Sequence, residues 1–245
     1  MFSFSNKRIL YTVLIVCVSV MLLRYMTNLS SLYSLLISIP AVLVAITFHE
    51  YAHAFAAYKL GDETAKSQGR LTLNPIKHMD PVGILMLLFL GFGWGRPVQI
   101  DPRNFNRNMS AKKAEAIVAI AGPAANFILA IVFSIITALL IKFNALDKMN
   151  YRAALTIIEI LQSIVILNVG LGLFNLIPLP PLDGSKVLCA FLPYNVEMSF
   201  RNNEQIFYMV FMILWITGLL GSIISPAISV VYNGLTKLIE SIVGM

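Results

Sequence analysis

The chain has 245 residues, of which 58% are hydrophobic and only 12% charged, with a formal net charge of +6 and a mean hydropathy of +0.80. Soluble domains carry roughly 25% charged residues because their surfaces face water, so most of this surface must face something apolar and an ordinary soluble domain is excluded. The basic residues sit beside apolar runs, at Lys7, Arg8, Arg103, Arg107, Lys112 and Lys113, and form no stripe with interleaved aromatics; nucleic acid is therefore not an expected partner.

A helix needs about 20 apolar residues to cross the hydrocarbon core. Residues 9–26 form the first such run. Its basic start resembles a secretory leader, but Arg24 and Tyr25 follow without a small-x-small cleavage site, so an uncleaved first span is expected. The second run covers 32–58. A shorter one, 82–92, runs into Gly91, Gly93 and Gly95 and fits a re-entrant or strongly tilted segment. Further spans are predicted at 114–141, 153–174 and 206–232, the last containing Pro226, with an amphipathic tail at 235–243 lying at an interface. The predicted fold class is an all-α polytopic membrane protein with about six membrane segments. It forms a single membrane-embedded domain over 1–245, without an appended peptide-binding or nucleotide-sensing module.

Orientation follows from the basic residues. With Lys7 and Arg8 inside, residues 59–80 are cytoplasmic, and a re-entrant 82–92 keeps Arg96, Arg103, Arg107, Lys112 and Lys113 inside as well. The outer segment 142–152 still holds Lys142, Lys148 and Arg152, so the bias is incomplete. A multi-pass protein of the cell membrane is expected. Cys17 and Cys189 are far apart and read as packing residues.

The chemistry is carried by Phe48-His49-Glu50-Tyr51-Ala52-His53, inside the second run. Residues four apart share a helix face, so His49 and His53 can hold one metal ion together, with Glu50 beside them as general base. This H-E-x-x-H spacing is the zincin arrangement, two imidazoles on Zn²⁺ and a glutamate that handles the proton. An accidental cluster is the plain alternative. Insertion of an Asp, Lys or Arg at mid-helix costs about 2.5–3.5 kcal/mol, so a group of ionisable residues on one face calls for a compensating partner, which a metal provides.

A catalytic zinc usually takes three protein ligands and a water. The best third candidate is Asp183, which closes the stretch Asn175-Leu176-Ile177-Pro178-Leu179-Pro180-Pro181-Leu182-Asp183-Gly184 after an apolar helix. Three prolines cannot sustain a helix, and freed backbone at membrane depth is tolerated where it lines a polar cavity. A helix-ending turn with a solvated Asp-Gly is the other reading. Both helices run from outside to inside, so the histidines and Asp183 converge on the cytoplasmic side.

With these motifs and Ala121-Gly122-Pro123-Ala124-Ala125-Asn126, the chain resembles the site-2 protease family of intramembrane zinc metalloproteases, in its short bacterial or archaeal form without a PDZ or CBS domain. The resemblance covers residues 47–184, within a catalytic core of about 32–190. It implies one catalytic Zn²⁺ held by His49, His53 and Asp183, with Glu50 as general base and Asn175 as stabiliser of the oxyanion. It also implies hydrolysis of membrane-spanning or membrane-associated protein substrates, with lipid bilayer around the enzyme and the active site toward the cytoplasm.

Other features are secondary. Asn126 serves either helix packing or a hydrogen bond near the metal. The loop at 92–100 offers a free strand edge to substrate or, slightly better, anchors at the membrane surface through Trp94 and Arg96. His78, beside Lys77, reads as a surface residue outside the site. A zinc transporter and a silent scaffold are the competing functions; a single compact ligand set with no His-rich loop disfavours the first, and the intact Glu50 disfavours the second.

Overall fold

A computed structural model describes residues 28–81, 83, 95–106 and 108–244, together with Ser19. The predicted first span at 9–26 and the short segment at 82–92 fall almost wholly outside the described residues. Helix α1 (Leu29–Lys59) is followed by two single turns, α2 (Thr64–Ser67) and α3 (Pro75–His78), and a 3-10 turn at Pro102–Asn104. Then come α4 (Ala111–Lys142), α5 (Tyr151–Asn175), α6 (Asp183–Phe191), α7 (Tyr194–Asn202), α8 (Glu204–Ile216) and α9 (Leu219–Val243). Among the described residues there is no strand, only an isolated antiparallel bridge between Met79 and Gly95.

Four of these helices are long and apolar enough to cross a membrane: α1, α4, α5 and α9, of 31, 32, 25 and 25 residues. In hydrocarbon every backbone amide must find its partner inside the segment, which drives such runs into unbroken helix. Their first turns leave amides without partners. Side-chain oxygens of Asn28, Ser110 and Asn150 accept from those groups at the starts of α1, α4 and α5.

Helices α1, α4 and α5 pack on one another, and α9 lies against α4 and α5. Small residues set the close contacts: Ala57 of α1 meets Ala114 and Val118 of α4, and Ala130 of α4 meets Val165 and Val169 of α5. Ile228, Val231 and Leu235 of α9 close over the second group. The outer faces expose Ile128, Ile131 and Ile135 of α4 and Ile223 and Val230 of α9. Contiguous apolar exposure of this kind suits lipid rather than water.

Polar contacts fix the two ends of the bundle. At one end Tyr33 donates to Glu159 at 2.6 Å, tying α1 to α5, and Lys142 donates to the Val243 carbonyl, tying α4 to α9. At the other end Lys112 pairs with Glu197 at 2.6 Å, and Arg201 pairs with Glu197 at 3.0 Å and Glu115 at 2.8 Å. Those pairs hold α7 against the start of α4. Asp62, just beyond α1, is fully buried there and accepts from Thr64, Asn104 and the Asp101 amide.

The structure corrects the sequence reading at the C-terminal end. The run 206–232 is two helices, α8 and α9, separated at Thr217-Gly218, where Gly218 takes a left-handed φ of 75°. Helix α8 has 13 residues, so it extends only about 20 Å, short of the roughly 30 Å hydrocarbon core. Leu220, at the start of α9, packs with Phe211 of α8 and with Leu182, so the chain doubles back at the same end of the bundle. The tail 235–243 is no separate interfacial helix; it forms the last turns of α9, where Ile239 is buried.

Candidate metal centre

His49 and His53 lie one turn apart on α1, with their Nε2 atoms 3.0 Å from each other. Asp183 opens α6 and brings Oδ2 to 3.1 Å from each of those nitrogens. The three atoms make a nearly equilateral triangle. Ligands on a tetrahedral ion with bonds of about 2.0–2.1 Å stand roughly 3.3 Å apart, so the spacing suits one small divalent cation. The histidines are buried, and the Asp183 side chain is 12% exposed.

Asp183 reaches the histidines because α5 ends at Asn175 and the proline-rich stretch folds back beneath them. Leu182 anchors the turn in the apolar group formed with Phe211 and Leu220. Gly184 lies so close to the Leu176 and Ile177 carbonyls that a Cβ there would overlap both.

The far side of each imidazole is occupied. His53 Nδ1 stands 2.7 Å from the Val118 carbonyl and His49 Nδ1 stands 2.7 Å from Asn126 Oδ1. The Val118 carbonyl can only accept, so the neutral His53 ring carries its proton on Nδ1 and turns the Nε2 lone pair toward Asp183, while the Asn126 oxygen occupies the matching place behind His49. Outer partners of this kind orient metal-bound histidines. Gly122 of α4 lets that helix pass close to both rings, since a Cβ there would stand 2.5 Å from His53 Nε2 and 2.6 Å from His49 Cε1. Two imidazole nitrogens and one carboxylate at this spacing fit zinc.

Glu50 is also buried, and its Oε2 accepts from the Val98 amide at 3.1 Å. The described part of the 92–100 loop therefore crosses the site. It is held there by the Met79 to Gly95 bridge, by Arg96 N–H donating to the His78 carbonyl at 2.8 Å, and by the Asp62 contacts that follow it. Asn175 ends α5 with its amide donating to the Leu171 carbonyl at 3.0 Å. His78 is fully buried rather than at the surface, with Nε2 bonded to the Thr72 carbonyl at 2.6 Å, because α3 folds under the returning loop.

The sequence model for peptidase family M50 matches residues 37–218, which takes in most of α1 and all of α2 through α8 with all three triangle residues. The chain belongs to peptidase family M50. It is 41% identical over 202 residues to the protein named "Putative zinc metalloprotease YwhC" of Bacillus subtilis (strain 168), covering 82% of this chain and 90% of that one. It is 28% identical over 181 residues to "Putative zinc metalloprotease Rip2" of Mycolicibacterium smegmatis, covering 71% of this chain and 64% of that one. It is also 28% identical over 149 residues to "Zinc metalloprotease MJ0392" of Methanocaldococcus jannaschii, covering 61% of this chain and 32% of that one. No solved structure matches the chain. The family membership makes this a zinc metalloprotease of the site-2 type, and its four long apolar helices make it a multi-pass membrane protein.

Four features of this M50 centre were hidden in the sequence. Asn126 had two equal readings there, and its contact with His49 settles the hydrogen-bonded one. Asn168, buried in α5 and bonded to Asn126 at 2.8 Å, gave no signal beyond being a polar residue in an apolar run. Nothing in the sequence marks Gly122 as the residue that lets α4 approach both histidine rings. The Val98 amide is backbone, which no residue pattern identifies.

Proposed function

We propose that this enzyme is an intramembrane endopeptidase that hydrolyses peptide bonds of membrane-spanning or membrane-associated proteins, with its active site toward the cytoplasmic side. The observation that carries the reading is a buried zinc-type triangle deep in a bundle whose outer faces are apolar. His49 lies about 20 residues into α1, roughly 30 Å along its axis. The end of the bundle nearest the site carries Lys59, Arg70, Arg96, Lys112, Lys113 and Arg201, which favours a cytoplasmic placement. Residues of about 32–190 form the catalytic core of one membrane-embedded unit.

His49, His53 and Asp183 are assigned as the ligands of one zinc ion. When bound, zinc supplies Lewis acidity, polarising the scissile carbonyl and lowering the pKa of water to about 7. Glu50 takes the proton from the attacking water and returns it to the leaving amine. The Val98 amide fixes one arm of its carboxylate for that task. Asn175 donates to the developing oxyanion; one amide hydrogen rests on the Leu171 carbonyl, and the second is the one this role uses. A helical substrate keeps its carbonyls hydrogen-bonded, so the scissile segment must unwind to reach this centre, and helix-weakening residues near the cut should speed cleavage.

The test uses purified protein and a fluorogenic membrane-spanning substrate. Cleavage that stops on zinc chelation and resumes on zinc addition is expected, with Glu50→Gln retaining zinc and losing turnover. A Glu50→Gln protein that cuts at the parent rate would remove the general-base assignment. Zinc uptake into vesicles without proteolysis would instead support a transporter.

A further inference from the structure

Behind His49, polar side chains form a chain through three helices. His49 Nδ1 lies 2.7 Å from Asn126 Oδ1 on α4. Asn126 Nδ2 lies 2.8 Å from Asn168 Oδ1 on α5 and 3.2 Å from the Ala45 carbonyl on α1. Asn168 Nδ2 lies 2.8 Å from the Ile164 carbonyl. Both asparagines are fully buried, so their hydrogen bonds are made within the protein, and both amide hydrogens of Asn126 have acceptors.

A primary amide can turn either its oxygen or its nitrogen toward a neighbour. If Asn126 presented nitrogen to His49, the neutral ring would have to accept at Nδ1 and carry its proton on Nε2, the atom that faces the metal. Two groups with no such freedom decide the direction. The Ile164 carbonyl can only accept, so it holds the nitrogen of Asn168 and leaves that residue's oxygen facing Asn126. This oxygen and the Ala45 carbonyl then hold both amide hydrogens of Asn126, which leaves only its oxygen for His49.

We propose that Asn168 is a positioning residue of the metal centre: acting through Asn126, it selects the Nδ1–H tautomer of His49 and keeps Nε2 open to the metal. Metal-bound histidines commonly rely on a carboxylate in this place. Here two neutral amides do the same task without adding another buried charge to those of Glu50 and Asp183, and the cost is that their direction must be set from outside. The proposal rests on His49, His53 and Asp183 being zinc ligands.

The experiment measures zinc affinity of the purified full-length protein by competition with a chromophoric chelator, alongside the visible absorption bands of the cobalt-substituted form. Loss of an outer partner typically weakens metal binding about 10- to 100-fold, and Asn168→Leu and Asn126→Leu are each expected in that range with altered cobalt bands. The double variant should bind no more weakly than Asn126→Leu alone, because Asn168 acts only through Asn126. Asn126→Asp, whose carboxylate accepts with either oxygen, should restore near-parental affinity in the presence of Asn168→Leu. Unchanged affinity in Asn168→Leu, multiplicative losses in the double variant, or no rescue by Asn126→Asp would each overturn the proposal and leave Asn168 a packing residue. Should Asn168→Leu not fold, Asn168→Ala carries the same expectations. A parent protein without stoichiometric zinc would sink the ligand assignment, and this proposal with it; parental zinc with an unaffected Asn168→Leu sinks this proposal alone.

Discussion

Replacing Gly122 with alanine tests how tightly α4 closes over the histidines. The added carbon would stand 2.5 Å from His53 Nε2 and 2.6 Å from His49 Cε1, where ordinary contacts are about 3.5–4.0 Å. Something must therefore retreat by about 1 Å. The rings have little freedom to do so, since Val118 and Asn126 hold them from the α4 side. Moving α4 outward instead strains a contact built from Ala57, Ala114 and Val118. Overpacking of this kind costs about 1–3 kcal/mol, and a displacement of about 1 Å at a reacting centre costs about 100-fold in rate. Gly122→Ala is thus expected to cut a fluorogenic membrane substrate about 100-fold more slowly, with weaker zinc retention and a modestly lower unfolding temperature. Gly221, on α9, is the control, because nothing lies within 4 Å of a Cβ placed there. Gly221→Ala should keep the parental rate. A Gly122→Ala enzyme with parental turnover and parental zinc would refute the close-packed geometry of the centre.

The remaining expectations concern the base, the oxyanion and the loop anchor. Glu50→Gln should hold zinc as tightly as the parent in elemental analysis while showing no turnover. Asn175→Ala should lower kcat by about 100- to 1000-fold with zinc content unchanged; an unaltered kcat would take Asn175 out of the oxyanion role. Burial tends to raise the Asp62 carboxyl, but hydrogen bonds from Thr64, Asn104 and the Asp101 amide outweigh it and hold the group below its ordinary value. The stability it contributes is therefore full above the unfolded value near 3.9 and is lost as pH falls through the lower folded value. Asp62→Asn should destabilise the protein at pH 7 by about 1.5–3 kcal/mol, the usual worth of a hydrogen bond to a charged group. The difference in unfolding midpoint from the parent should shrink as pH drops below about 4; a gap that stays constant would show that the carboxylate charge is not what matters.

The long helices were legible because a membrane leaves a run of apolar residues few alternatives to helix. Predicted spans at 32–58, 114–141 and 153–174 became α1, α4 and α5 with ends shifted by a few residues where Asn28, Ser110 and Asn150 supply caps. Hydropathy failed at 206–232, since apolar residues continue on both sides of Gly218 and only the backbone turn there separates α8 from α9. The pairing of His49 with His53 follows from helix periodicity. Their approach to Asp183 had to be inferred from depth, and the structure brings the three together. Asn126 and Asn168 were opaque for a different reason. A buried amide in a membrane helix can serve packing or a hydrogen bond, and only the neighbouring helix decides. His78 failed because flanking charges such as Lys77 describe the chain locally, whereas its burial comes from α3 folding beneath a loop some 20 residues further along.

The most direct test of the zinc centre is elemental analysis of the purified, proteolytically active parent beside Asp183→Ala. One zinc per chain in the parent, and its loss together with activity in the variant, is the expected result. An active parent without zinc, or an Asp183→Ala protein that keeps both its metal and its turnover, would contradict it.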